Sequence, residues 1–345
     1  MSKTTAKELY PSKSANRFKL PMKIISLLSV TLFSILLGLE ALAKAKHKVV
    51  FLHGSRSHAS GDHEFQAGSH LLAKHLNVQK KVNIEAVVNA GWPEDDRILD
   101  DADAIVIYAD GTKVIGHGWE KMDELVNKKK VGVIFMHYAV HPSVEQGEKY
   151  FLPWIGGFFK NGVSVNPFWR AKIKPMKGHE TANGVGPIDA VDEFYFNIHY
   201  HPKALPLGTA TPDEKNLVRI NNIWTRDGYL AKGKSQALLW GIVRPDGGRG
   251  IGFTGGHHHR NWAIDGYRQL VLNSIVWAAG AQVPSSGVPT YKVTESELNE
   301  KLDDYGDRTN RIKLPTQEDV TFSPGPWMTP EEHAASRKRP KPKKK

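Results

Sequence analysis

The sequence predicts an α/β fold, a parallel sheet with helices on both faces, and three observations carry that expectation. Short apolar runs, KVVFL (48–52), VNIEAVV (82–88), AIVIY (104–108) and VGVIFM (131–136), are separated by helix-length segments, the pattern of strands joined by crossover helices. Between the first two runs, Phe65, Ser69, Leu72 and Leu76 recur at helical spacing. The chain has 345 residues, 40% hydrophobic and 24% charged, enough for one large globular domain or two small ones.

Taken in order, the elements begin after a separate N-terminal segment. Lys19 and Lys23 precede an apolar run from Ile24 to Leu39, and Ala41-Leu42-Ala43 follows as a cleavage site, so residues 1–43 are expected to be a signal peptide. Met22 is a candidate start, and the mature chain is expected to be exported, periplasmic or extracellular. The run is short and serine-interrupted for a membrane span. A folded domain is expected over 44–289, with the four strands above and a helix near Trp119 to Val126. From Ala139 to Gln236 prolines and aromatics interrupt the regularity, and this stretch is read as an elaboration folded over one end of the sheet. It is expected to contain strands, such as EFYFNIHY (193–200), whose alternation fits a half-buried strand. QALLWGIV (236–243) and RGIGFT (249–254) return to the sheet, and a helix carrying Ile264, Tyr267, Val271 and Ile275 closes the domain near Ala279. Residues 290–345 form a polar extension with little packed structure expected from about Pro315.

The absence of cysteine excludes disulfides and a thiol nucleophile. The formal charge of +11 is concentrated at the ends: residues 1–43 hold six Lys/Arg against two Glu, and Arg337 to Lys345 hold seven Lys/Arg. The body is neutral, which argues against nucleic acid as the main partner. The tail RKRPKPKKK is read as a solubilising extension or as a grip on an anionic surface. Nothing in the sequence sets an oligomeric state, and no nucleotide cofactor is expected.

The sixteen histidines are unevenly placed. His53, His58 and His63 follow the first strand, His137 and His141 the fourth, and His257, His258 and His259 the last, each group at the carboxyl end of a predicted parallel strand, where ligands bind in open α/β sheets. With Glu64, Asp192 and Glu193 they can bind a divalent transition metal (Zn, Mn, Ni or Fe) or supply acid and base groups near neutral pH. Both roles stay open. His53, His58, His63, His257 and His259 are the candidate ligands, and His137, Glu64, Glu193 and Asp192 the candidate acid/base groups. Tyr138, Tyr195, Asn261, Trp262 and His258 are candidate substrate contacts. His137 sits at a sharp strand-to-helix turn, the place of a nucleophile elbow, where an imidazole favours proton transfer or ligation over acyl chemistry. His70, His75 and His117 are assigned no role.

Six segments, HGSRSHASGDHEFQAG (53–68), DADAIVIYADG (101–111), GVIFMHYAVH (132–141), FLPWIGGFF (151–159), DEFYF (192–196) and RGIGFTGGHHHRNW (249–262), resemble in order the ThuA-like family, named for trehalose utilisation. The resemblance implies a flavodoxin-like sheet of the class I glutamine amidotransferase kind and a place in carbohydrate catabolism. In amidotransferases of that fold the elbow is a cysteine, which this chain lacks, so glutamine hydrolysis by that route is excluded. The expected function is hydrolysis, elimination or isomerisation of a disaccharide, glycoside or keto-sugar. The alternative is a non-catalytic carbohydrate-binding protein on the same scaffold.

Overall fold

The computed structural model describes residues 46–79, 81–217, 225–308, 311–316 and 329–337. Residues 1–43, expected to be a signal peptide, and all but the first residue of the basic tail lie outside them. Eleven strands follow in chain order: β1 (His47–His53), β2 (Ile84–Ala90), β3 (Ala104–Tyr108), β4 (Gly132–Met136), β5 (Gly157–Phe158), β6 (Trp169–Pro175), β7 (Ile188–Asp192), β8 (His199–Tyr200), β9 (Leu205–Ala210), β10 (Gln236–Val243) and β11 (Arg249–Phe253). The principal helices are α1 (Phe65–Asn77), α2 (Trp119–Asn127) and α3 (Asp265–Ala278).

Nine strands form one sheet in the order β2-β1-β3-β4-β11-β10-β9-β6-β7. The first five are mutually parallel, and their order is the 2-1-3-4-5 of a flavodoxin-like sheet, with β11 as the fifth strand. Because side chains alternate along a strand, Val49 and Phe51 join Val106, Ile134 and α1 and α3 on one face. Val50 and Leu52 join Ile105, Phe135 and α2 on the other. Strands β3 and β4 are buried at every position, which is why they read as unbroken apolar runs. Each fully buried large apolar side chain contributes about 1.5–3 kcal/mol, and these two layers hold a fold that has no disulfide.

Three expectations are corrected. The region 139–236 is not only a cover: it adds β9, β6 and β7 to the same sheet through antiparallel pairing. β10 is antiparallel to β11, because the five residues RPDGG between them allow a hairpin but not a crossover. The predicted strand 193–200 is irregular apart from β8. Asn197 takes a left-handed φ of 56°, and its N–H and that of Phe196 bond to Gln236 Oε1 and Val165 O instead of a ladder.

The extension after residue 289 begins as a packed strap. Val293, Leu298, Tyr305 and Ile312 are buried, and the strap runs over α1, where Lys74 pairs with Glu297 at 3.0 Å. Beneath it, His75 stacks on Tyr291 with ring centroids 4.1 Å apart, fully buried and with no hydrogen-bond partner on either ring nitrogen among the described residues. Burial, then the Arg268 charge, depresses its pKa to about 4. The ring is neutral in the folded protein and protonates on unfolding below about pH 6.5, so its contribution to stability is complete above pH 6.5 and is lost as pH falls towards 4. Urea unfolding is expected to show roughly 2 kcal/mol less stability at pH 5 than at pH 7 from this group alone. His75→Phe, which keeps the stack, should remove that share, and an unchanged pH slope would refute the assignment.

Candidate metal centre

Loops that follow five strands meet at one edge of the sheet to build the site. The carboxyl ends of β1, β3, β4 and β11 lie together because these strands are parallel. Four antiparallel pairings separate β11 from β7. Four is even, so β7 points the same way and delivers Asp192 and Glu193 to that edge. The turn after β11 is fixed by Gly256, whose φ of 110° no L side chain adopts readily, and Asp192 grips it. Asp192 Oδ2 accepts from Gly256 N at 2.8 Å, and Oδ1 accepts from His257 N and His258 N, each at 3.1 Å.

Four donor atoms converge there. His63 Nε2 lies 2.9 Å from His137 Nε2 and 2.9 Å from His257 Nδ1. His257 Nδ1 lies 3.3 Å from His137 Nε2, and Glu193 Oε2 lies 3.4 Å and 3.6 Å from His257 Nδ1 and His137 Nε2. All four residues are buried. Donors bound tetrahedrally at the 2.0–2.1 Å of a zinc–nitrogen bond stand about 3.3 Å apart, so the spacing is that of donors around a single ion. His63 and His137 are held at φ 55° and 53°, two of the five non-glycine residues with positive φ among those described. Such backbone costs about 1–3 kcal/mol per residue and clusters at functional sites.

The outward nitrogens assign the tautomers. His63 Nδ1 faces Asp110 Oδ1 at 2.8 Å, and His137 Nδ1 faces the Thr254 carbonyl at 2.9 Å. Both partners only accept, so both Nδ1 atoms donate, and two lone pairs are left opposed at 2.9 Å across the centre. Burial, and then the neighbouring imidazoles His63 and His257, push the His137 pKa well below its usual value. Burial also lowers His63, with Asp110 opposing. Burial acts to lower His257 too, but hydrogen bonds to Asp62 and Glu193 outweigh it and raise its pKa to about 9. A proton on His257 supplies one inward N–H, whereas a divalent cation satisfies all four inward atoms at once. Tyr195 OH adds a contact to His137 Nε2 at 3.3 Å. Burial and then the Glu193 charge hold its phenol well above the usual pKa, so it stays a donor.

The structure thus brings together His63, His137, His257 and Glu193 from the sequence-predicted set, with Tyr195 against them and Tyr138 half-buried beside His63. His58 is exposed and lies tilted at 37° against His63, ring centroids 3.6 Å apart. His258 Nδ1 bonds Asp62 at 2.7 Å. The other predicted residues lie elsewhere. His53 bonds its neighbour's carbonyl, Gly54 O, at 2.9 Å. The buried Glu64 carboxylate accepts from Gly61 N at 2.9 Å and from Asp303 N at 2.8 Å, clasping the strap to the first loop. His259 Nε2 donates to Leu298 O at 3.0 Å, also towards the strap. Asn261 Nδ2 donates to Val191 O at 2.9 Å, and Trp262 is buried against Tyr108 and Tyr267. Asp110, Asp62 and Asn166, which donates to Glu193 Oε1 at 3.0 Å, were not foreseen. Asp110 had a signal, a carboxylate two residues past a buried strand at the binding edge.

No protein-family model matches the chain, and no curated protein sequence matches it significantly. Among solved structures, a protein of Parabacteroides merdae described as ThuA-like is 14% identical with a TM-score of 0.47, covering 68% of this chain and 90% of that one. One of Bacteroides uniformis, also described as ThuA-like, is 15% identical with a TM-score of 0.48 over 68% of this chain and 93% of that one. The glutaminase domain of Trypanosoma brucei CTPS, with bound acivicin, is 9% identical with a TM-score of 0.39 over 68% and 94%. These likenesses are distant, and it is the chain's own strand order that makes the fold flavodoxin-like.

Proposed function

We propose that the chain is a metal-dependent enzyme acting on a small carbohydrate, a glycoside or keto-sugar, with His63, His137, His257 and Glu193 as ligands. One observation carries the metal: two buried imidazole nitrogens face each other at 2.9 Å while both rings commit their protons outward. Ligating histidines characteristically give the second nitrogen to a carboxylate or carbonyl. The carbohydrate rests on the six segments that resemble the ThuA-like family. Half-buried Tyr138, beside His63, offers an aromatic ring of the kind that packs on sugar faces.

A divalent ion held by these residues supplies Lewis acidity towards a carbonyl or water oxygen. Tyr195 directs a retained proton at the same point, and Asn166 fixes the Glu193 carboxylate from behind. Asp110 and Thr254 O hold two rings in the ligating tautomer. Hydrolysis, elimination and isomerisation of a keto-glycoside all need an oxygen polarised in this way.

The test is elemental analysis of untagged protein purified without added metal, followed by assays on disaccharides and their 3-keto derivatives. At least one equivalent of a divalent transition metal is expected. Chelator should lower the melting temperature by mass action and abolish turnover. A folded protein that takes up no metal overturns the centre. Metal-loaded protein that binds sugars without turning any over overturns the enzyme in favour of a binding protein.

A further inference from the structure

The geometry points to a second cation site, built by His58, Asp110 and the outer nitrogen of His63, so that the His63 imidazole bridges two ions. The inference rests on the metal reading of the first centre and adds a site to it. Nδ1 of His63 has more around it than one orienting carboxylate. Asp110 Oδ1 lies at 2.8 Å and Ser57 Oγ at 3.2 Å, and the same hydroxyl lies 2.8 Å from His58 Nδ1. Ligand atoms of His58, His63 and Asp110 fall within 4.8 Å of one another. Asp110 alone suffices to fix a tautomer. The second imidazole, tilted against His63 and sharing the Ser57 hydroxyl with it, completes a two-nitrogen, one-carboxylate donor set of the kind that suits borderline divalent metals.

A comparable set, Asp62 with His257 and His258, flanks the other side of the centre. Phe168 covers it, its ring centroid 4.8 Å from that of His257 and 5.4 Å from that of His258. The His58 set is open instead. Asp110 and Ser57 line a cavity of about 750 Å³ together with His53, Arg56, Lys113 and Asp303, at the β1/β3 switch point where flavodoxin-like sheets take ligands. Of the three ligands Asp110 lines that cavity, while His58 lines a separate opening of about 400 Å³ with Arg56, Ser57 and Tyr305, so an ion between them is within reach of a small molecule carrying several oxygen donors. An imidazole bridge holds two ions further apart than the roughly 3.5–4 Å of two-metal sites that share a reacting oxygen. The second ion therefore serves the cavity ligand, while the first serves the buried centre. Binding at His63 Nδ1 displaces the proton that this nitrogen directs at Asp110, and the proton leaves to solvent.

The experiment uses the full chain, stripped with chelator and titrated with zinc, with bound metal counted after desalting. Two equivalents are expected in the parent chain and one in His58→Ala, whose side chain is exposed and whose loss leaves the first centre intact. Asp110→Asn should also lose the second equivalent and weaken the first by the 10–100-fold typical of outer-shell partners. One equivalent in the parent chain overturns the second site and leaves the first standing; none overturns both. Two equivalents retained in both variants place the second ion elsewhere and overturn the assignment. The bridge has its own readout. With two equivalents of copper(II), coupling through His63 should quench the mononuclear paramagnetic signal, and two full independent signals would overturn it.

Discussion

Glu193→Gln is expected to yield a folded protein that no longer retains a metal. The carboxylate is buried, with Oε1 taken by Asn166 Nδ2 at 3.0 Å and Oε2 aimed at His257 and His137. Glutamine has the same shape. Its carbonyl oxygen keeps the Asn166 bond, so its NH2 group points into the centre, where it donates to the imidazole nitrogens. The substitution replaces an anionic ligand with a donor that satisfies the lone pairs a cation would take. Zinc affinity should fall by more than the 10–100-fold of an outer-shell loss, at least about 2.7 kcal/mol, and turnover should fall with it. Without metal, the variant should melt at or above the temperature of the stripped parent chain. Thermal melts with and without zinc check both halves. A variant that gains as much stability from zinc as the parent does would remove Glu193 from the ligand set.

Asp192→Ala is expected to cost the most stability of any single change at the site. Its buried carboxylate accepts five hydrogen bonds: from Glu193 N at 2.9 Å, His257 N and His258 N at 3.1 Å each, Gly256 N at 2.8 Å and Tyr267 OH at 2.8 Å. Alanine strands several buried N–H groups at about 1–3 kcal/mol each, some relieved by relaxation. A net loss of roughly 4–5 kcal/mol is a large share of the 5–15 kcal/mol that holds a domain. The melting point should drop by about 10 °C or more. Because the anchored backbone carries His257, zinc affinity should fall as well. A shift of under 2 °C in the metal-free protein would show that water replaces the carboxylate and that the turn holds itself.

Much of the scaffold was legible because burial on both faces leaves an unmistakable composition: AIVIY (104–108) coincides with β3 and QALLWGIV (236–243) with β10. The strands β6, β7 and β9 were not legible, because edge and half-exposed strands such as WRAKIKP mix lysine with apolar residues. The histidines at strand ends indicated the correct edge of the sheet. They could not indicate direction, and direction separates His257, which enters the centre, from His259, two residues on, which turns to Leu298. Glu64 and Glu193 looked alike in sequence, yet one clasps backbone and the other faces the imidazoles. The left-handed backbone at His63 and His137 had no signal either, since that conformation is usually announced by glycine or asparagine.

The late place in the chain of β11, which docks beside β4, also sets when the centre can exist during synthesis. His63 and His257, in contact at 2.9 Å, are 194 residues apart in sequence. Closing such long loops is slow, and topology of this kind delays the transition to the native state. A nascent chain can pair its first four parallel strands early, but it holds only three of the four ligands until the β10–β11 hairpin has emerged and docked beside β4. On the proposed reading, tight metal capture is then a late event, coupled to completion of the fold, and a chain stalled before residue 257 would leave the ribosome with its sheet begun and its donor cluster incomplete.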